Sequence, residues 1–521
     1  MNSLQEQSNR QTAIAPVEAA AVPRIAEFFR AYAREIVILM CVYAGLRILI
    51  FTAAFPFFNN IDEQFHFAAI RMYAQGQWPG KDLPHFDFET AKIASLYATP
   101  EYLNEGNFAP FYPLSPQDAA PYTGPWVRRY LRTADFEAQS PPVYYLLNAA
   151  WYRFGESVGV HGWESIYWLR LLNPMAYMLL VWVSYLFVRK AYPGRIFLLL
   201  GVPALLAVFP QDVYFGINRD VLAAPMTALV LLLMLKAVDD RESGKWALVA
   251  ASLLVGLTFL VDVSNCVLYG ALAVTLWFWV QRSTAAPQQK AWTVVGAASA
   301  AVAFPFSWML RNYLVIGDLT ASRGKMQFLG WTKKPLGEIF RHPLFTWRGL
   351  SYFLMELTKN FWSGEYVWHR HRMSWPVADW FYALSSGVLI VAFAVQFFRK
   401  SKNGDIGQRF AEIQISLLLV ASILFMAAIS LPFDFHNCPN PSREHPFFVS
   451  GRIISGALLP FALIYVKGLE SLLAPIRKWA PAAALICLIL FTTISDFGVR
   501  RVAFSSQWNF FAIRAWQETH P

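Results

Sequence analysis

Charge is what this chain has least of. Asp, Glu, Lys and Arg together make up 15% of its 521 residues, where a soluble chain devotes about 25% to them. At about 150 residues per domain the length would give roughly three soluble domains, but so apolar a chain cannot cover itself with polar surface. Cysteine is scarce as well. Cys41, Cys266, Cys438 and Cys487 lie far apart, which argues against a disulfide-stapled module and against a cysteine metal site. No GxxxxGK[ST] stretch is present, so an ATP-driven engine has no phosphate cradle here. Internal repeats are also lacking. Residues 1–21 are polar and alanine-rich without an apolar core and cleavage site, so the first apolar segment reads as an uncleaved anchor.

What is present is 56% hydrophobic and 16% aromatic residues, the composition of an all-α polytopic membrane protein. Stretches of about 17–25 apolar residues cross a bilayer as helices. Eleven are expected, at about 35–57, 164–188, 195–214, 220–238, 245–262, 264–281, 290–310, 377–398, 410–431, 451–468 and 479–497. Lys and Arg set the orientation. Arg24, Arg30 and Arg34 precede the first span, and Arg189, Lys190 and Arg195 follow the second. Lys236, Arg241 and Lys245 follow the fourth, Arg399, Lys400, Lys402 and Arg409 the eighth, and Arg477 and Lys478 the tenth. If the stretch 141–155 does not cross, these fall on one side, the cytoplasmic one, of a multi-pass plasma or inner membrane protein. The expected organisation is a cytoplasmic segment 1–34, a membrane domain 35–497 with external loops at about 58–163, 311–376 and 432–450, and an external tail 498–521. The formal charge of +10 raises nucleic acid as a partner. The basic residues are scattered over separate loops, however, and contact with lipid headgroups explains them more simply.

The most informative stretch follows the first span: Asn59-Asn60-Ile61-Asp62-Glu63-Gln64-Phe65-His66-Phe67. Asn60 followed by Glu63 predicts a capped helix start, and Gly76 predicts its stop. Ile61, Phe65, Ala68 and Met72 form an apolar stripe, as on a helix lying at the membrane surface. Asp62 and His66 share another face. A carboxylate and an imidazole there suit a divalent cation, or a base for an incoming hydroxyl. The plainer readings are that Asp62 and Glu63 serve the helix N-terminus and that His66 is an interfacial polar tip.

An acidic pair followed by His, just outside a first span, resembles the GT-C class of membrane glycosyltransferases. That class includes protein O-mannosyltransferases, aminoarabinose transferases and a bacterial family with a Pro-Asp-Glu-x-x-His signature. Gln139-Ser140-Pro141-Pro142-Val143-Tyr144-Tyr145-Leu146-Leu147 is similar to their Q-P-P-L-Y-Y-L-L stretch, and Leu169-Arg170-Leu171-Leu172-Asn173 to the opening of their second span. Asn218-Arg219-Asp220 resembles their N-x-D turn, Trp308 to Asp318 their W-x-x-R-N-Y-x-x-x-G-D, and Ser450-Gly451-Arg452 their Q-G-R-Y. Asn360-Phe361-Trp362-Ser363-Gly364 resembles an S-F-W-G element. The likeness runs from about 56 to 460. Two positions depart from it: Asp262 stands where Lys is frequent, removing a phosphate-binding cation, and Ile453 follows Arg452 in place of Tyr.

The resemblance implies transfer of a sugar from a polyprenyl-phosphate carrier to a hydroxyl outside the cytoplasm, with inversion. Such chemistry wants a carboxylate for the acceptor and Arg or Lys for the phosphate. Asp62, Glu63, Asp220 and Asp212 are the expected catalytic carboxylates, although Asp220 also suits plain helix capping. Arg311 and Arg452 are the expected phosphate ligands, with Lys325, Arg443, Arg170 and Tyr144 as further substrate contacts. Asp62 and His66 are the ligand pair for a divalent metal, in a class with metal-dependent and metal-independent members. Arg47, inside the first span, is a functional flag or a snorkelling side chain. The aromatics Trp331, Trp347, Phe361, Trp362, Tyr366, Trp368 and Trp375 suit an interfacial belt first, and sugar faces or an isoprenoid tail second; the C-terminal Trp508-Asn509-Phe510-Phe511 suits rest on the membrane. A transporter or lipid flippase is the competing class. It predicts polar, broken helices at mid-depth in paired repeats, whereas the acidic cluster here sits at a span end. A nonenzymatic scaffold is the third, disfavoured by external loops rich in ionisable groups.

Overall fold

The computed structural model describes residues 27–102, 114, 116–240, 244–399, 406–438 and 440–519. Arg24, Arg241, Lys400 and Lys402, with residues 1–26 of the N-terminal segment, lie outside the described residues. Among the described residues nine helices are long and apolar enough to cross a bilayer. They are Ala33–Ala54, Glu164–Ala191, Arg219–Asp239, Val263–Arg282, Pro287–Val315, Pro376–Arg399, Ile406–Ser430, Gly451–Leu473 and Ala480–Ala515. Two shorter apolar helices, Ile196–Val208 and Gly244–Phe259, coincide with the remaining expected spans. At 13 and 16 residues they reach about 20 and 24 Å, against a hydrocarbon core of about 30 Å. Ile196–Val208 stops before the expected residue 214 because Phe209 is extended, the conformation imposed on a residue preceding proline. Among the described residues strands are confined to two-residue pairs, Thr332–Lys333 with Phe433–Asp434 and Val367–Trp368 with His371–Arg372. The class is all-α.

Burial separates central from peripheral helices. The most apolar window of Gly451–Leu473 is 83% buried and that of Arg219–Asp239 72%, against 22% for both Pro287–Val315 and Pro376–Arg399. The first two form the centre and the last two face outward. Lys190 pairs with Asp239 at 2.5 Å and Arg195 with Glu470 at 2.8 Å, so several basic connections share one end of the bundle.

Ions inside the helices are paired. Arg47 neither snorkels nor stands free: it bonds Asp496 at 2.7 Å and the carbonyl of Phe209 at 2.7 Å. Arg500 also pairs with Asp496 and donates to the carbonyls of Pro210 and Ser363. Together they fasten the first span, the last span and two turns. Lys467 pairs with Glu412 in the same enclosed manner.

The helix after the first span, Glu63–Ala74, ends as expected at Gly76, whose φ of +75° closes the last turn. Its apolar stripe is turned into the protein. It packs along Val143–Ser157, and Ile61, Ala68 and Met72 of its stripe are buried within the protein. Phe65 packs instead on Phe86, Phe136 and Phe328. The aromatic belt is likewise divided. Trp347 is exposed, but Trp362 is buried and stacks on Tyr382 with centroids 4.4 Å apart. Trp508 is buried too, while Phe511 is exposed.

Candidate functional site

Three of the spans begin with 3-10 turns: Arg219–Leu222, Val263–Cys266 and Gly451–Ala457. Short polar side chains build two of them, as Asx turns do. Asn218 accepts the Asp220 N–H at 2.9 Å, and Asp262 accepts the Ser264 N–H at 2.7 Å. The third starts at Gly451, where a Cβ would stand 2.2 Å from the Phe361 backbone. Only glycine admits so close an approach. These turns bring Arg219, Asp220, Asp262 and Arg452 together.

Asp62 enters this space from the opposite side. Its backbone is left-handed, with φ of 72°, and its side chain makes no capping bond. Asn60, the expected cap, does something else. Its amide donates to the Glu365 carbonyl at 3.0 Å and accepts from the Val367 N–H at 2.8 Å, tying the turn before Asp62 to the segment bearing Glu365. The Asp62 carboxylate is therefore free of helix capping and faces Arg452 at 3.6 Å. Burial holds its carboxyl above the usual range, against the pull of Arg452 and Lys325.

Arg452 is the hub. It donates to Asp220 at 3.0 Å and faces Asp62 at 3.6 Å and Glu365 at 3.9 Å. Its Nε is buried and has no hydrogen-bond partner among the described residues. Ser450 orients Glu365, bonding its two oxygens at 2.6 and 2.7 Å. Beside this hub lies a second one. Glu137 is buried and receives Arg219 and Lys325, both at 2.5 Å. These two cations hold its carboxyl well below the usual range, against the opposing effect of burial. Arg219 also binds Asp262 at 2.6 Å. The acidic departure at Asp262 thus aims an arginine from the neighbouring turn. His66 is buried among the same groups, with Nδ1 2.8 Å from the Tyr145 hydroxyl and Nε2 without a partner. Burial pushes its imidazole down to about 3.

Other expected residues stand apart. Glu63 and Arg170, expected as catalyst and substrate contact, are fully enclosed and bind each other by two 2.7 Å bonds. Glu63 also accepts the N–H groups of Phe58 and Ile217, each at 2.8 Å, and Arg170 also donates to the carbonyls of Thr52, Phe55 and Pro56. Their hydrogen bonds close a loop, which leaves no surface for a substrate. Asp212 is buried and accepts the Tyr366 N–H at 2.8 Å; burial pushes its carboxyl up to about 6. It holds the turn that carries Glu365 and does not touch Arg452. Arg311 donates to the Pro79 carbonyl. Arg443 is exposed, 3.5 Å from Asp434. Tyr144 is buried with its ring 6.4 Å from that of His66. Among the described residues no three His, Cys, Asp or Glu side chains are grouped to hold a metal ion. Asp62 faces Arg452, and His66 faces Tyr145 through Nδ1.

Sequence reasoning missed Glu137, Arg219 as a cation, and Glu365. Arg219 was inside the Asn218-Arg219-Asp220 motif, and Glu137 and Glu365 stand next to the Gln139–Leu147 and Asn360–Gly364 stretches. Adjacency was the only signal.

Residues 46–434 match the family model of DUF2142, described as a predicted membrane protein. The chain belongs to the DUF2142 family. No curated protein matches it. Solved structures similar to this DUF2142 protein include the following two. ArnT from Cupriavidus metallidurans, bound to undecaprenyl phosphate, is 14% identical with a TM-score of 0.42, covering 91% of this chain and 75% of that one. The oligosaccharyltransferase of Archaeoglobus fulgidus, in complex with Zn and sulfate, is 13% identical with a TM-score of 0.34, covering 70% and 44% respectively. All the charged groups of the two hubs except Arg452 fall in the matched DUF2142 region.

Proposed function

We propose that this protein is a membrane glycosyltransferase. It moves a sugar from a polyprenyl-phosphate donor to a hydroxyl acceptor on the extracytoplasmic face, where the ends of the spans carry the site. The observation that carries this reading is the pairing of Asp62, a carboxylate with no capping task, with Arg452, a guanidinium that keeps donors to offer. Only its contact to Asp220 is a hydrogen bond; the contacts to Asp62 and Glu365 are longer, and Nε is unpartnered. A planar guanidinium of this kind suits a phosphate, which it grips with parallel N–H groups.

In this reading Asp62 takes the proton of the acceptor hydroxyl as its oxygen attacks the anomeric carbon. The bond from that carbon to the phosphate oxygen breaks, and Arg452 stabilises the negative charge left on the polyprenyl phosphate. Attack opposite the leaving phosphate inverts the anomeric centre. Asp220 and Glu365 set the direction of the guanidinium, and the isoprenoid tail remains in the surrounding lipid.

Transfer of labelled sugar from polyprenyl-phosphate glucose, mannose or galactose by purified protein in nanodiscs tests this. Asp62→Asn keeps the side-chain shape and removes the base, so transfer should be lost while the folded protein persists. Undiminished transfer by that variant would remove Asp62 from the role. Labelled lipid crossing the bilayer without any transfer would instead identify a flippase.

A further inference from the structure

We infer that His66 presents a bare Nε2 lone pair that accepts a hydrogen bond from a substrate hydroxyl. The inference deepens the glycosyltransferase reading and rests on it for the identity of the ligand. Hydrogen-bond directions fix which ring nitrogen donates, and enclosure beside Arg219, Arg452 and Lys325 keeps the ring neutral.

Glu137 receives Lys325 and Arg219 at 2.5 Å and the Ser140 hydroxyl at 2.7 Å. Two cations on one carboxylate keep it ionised, and an ionised carboxylate only accepts. The 3.2 Å contact between the Tyr145 hydroxyl and Glu137 therefore uses the one proton of Tyr145. Toward His66, 2.8 Å away, the Tyr145 oxygen is left only as an acceptor. His66 must then donate from Nδ1, and a neutral ring protonated at Nδ1 carries an unprotonated Nε2.

Among the described residues that Nε2 has no partner, and the residue carrying it is 1% exposed. A buried acceptor left unpaired is costly and calls for a partner. His66 lies one helical turn from Asp62, and both are surrounded by Arg452, Arg219, Lys325 and Glu137. The partner must supply a proton, which excludes a phosphate oxygen. A sugar hydroxyl, on the donor or the acceptor, supplies one.

The chain has nine histidines, few enough for 15N-histidine NMR of the full-length protein in nanodiscs, with the His66 signals assigned by their loss in His66→Asn. The expected spectrum shows Nδ1 protonated and Nε2 unprotonated. Tyr145→Phe should release this preference. Adding polyprenyl-phosphate glucose or mannose should move the Nε2 resonance if the hydroxyl belongs to the donor; methyl glucoside or mannoside should move it if it belongs to the acceptor. Polyprenyl phosphate alone should not. The 31P signal of the lipid reports binding independently. In transfer assays His66→Asn, which keeps a donor for Tyr145 but no acceptor at Nε2, should lose roughly 10- to 100-fold, and His66→Gln should recover part of that. A protonated Nε2 overturns the inference. So does a resonance that no sugar moves while 31P shows the lipid bound, the result expected if only water sits there. Broadening by Mn2+ alone would make His66 a metal ligand instead. Absence of 31P binding would overturn the glycosyltransferase reading together with the hydroxyl assignment, while the tautomer would still be read.

Discussion

Arg452 serves three carboxylates from one guanidinium, with Asp220 at 3.0 Å, Asp62 at 3.6 Å and Glu365 at 3.9 Å. Its planar fork is what lets it face them all, and a lysine at this place would be a point charge with a single reach. Arg452→Lys should therefore keep part of the donor binding, while Arg452→Gln should lower kcat/KM for transfer by about 10²–10³-fold, the usual effect of removing one transition-state donor. Equal activity of Arg452→Gln and the native protein would exclude Arg452 from phosphate contact. A pH dependence follows from Asp62. Burial raises its carboxyl above the ordinary value, and a base works only when deprotonated. Transfer should thus fall as pH drops through that raised value, giving an acid limb above the ~4 of an exposed Asp. A pH–rate profile of kcat/KM measures it, and a limb at the ordinary value would speak against Asp62 as the base.

Elements meet at this site through a few long-range locks. The Glu63–Arg170 pair joins the helix after the first span to the start of the second, 107 residues apart in sequence. Both side chains are fully enclosed, so removing one strands the other's charge, at a cost of about 3–5 kcal/mol. Glu63→Gln and Arg170→Met should each lower the thermal midpoint and folded yield. A Glu63→Gln protein as stable as the native one but inactive would return Glu63 to catalysis. Gly364 is a second such lock. Its φ is +82°, and a Cβ there would stand 2.0 Å from the Asp212 carboxylate. Gly364→Ala should displace the neighbouring Glu365 and reduce transfer more than it reduces the thermal midpoint. These locks also mark what the sequence could and could not disclose. Spans were legible because lipid-crossing helices need long apolar runs, and the turn at Asn218 because a short polar side chain announces it. Asp62, Asp220 and Arg452 were legible as residue types near span ends. The enclosure of Glu63 was not, since its partner is distant. Nor was the role of Asn60, whose bonds reach across 305 residues to Glu365 while its spacing to Glu63 imitates a capping box.

Across the whole molecule the two ends of the helix bundle differ in kind. One end gathers short basic connections, with Lys190 on Asp239 and Arg195 on Glu470. The connections reaching the other end carry Asp62, Glu137, Lys325, Glu365 and Arg443. Lys and Arg in short loops are retained on the cytoplasmic side during insertion, so the first end should be cytoplasmic and the site external. Side chains with ample exposure are available at both ends. Arg443 is 71% exposed and Asp239 45%. In a background with Cys438 replaced by Ser, Arg443→Cys should react with a membrane-impermeant maleimide on intact cells. Asp239→Cys should react only after the membrane is opened. The opposite pattern would put the Asp62–Arg452 site in the cytoplasm, where a nucleotide-linked sugar becomes the more natural donor, and the polyprenyl-phosphate reading would have to be abandoned.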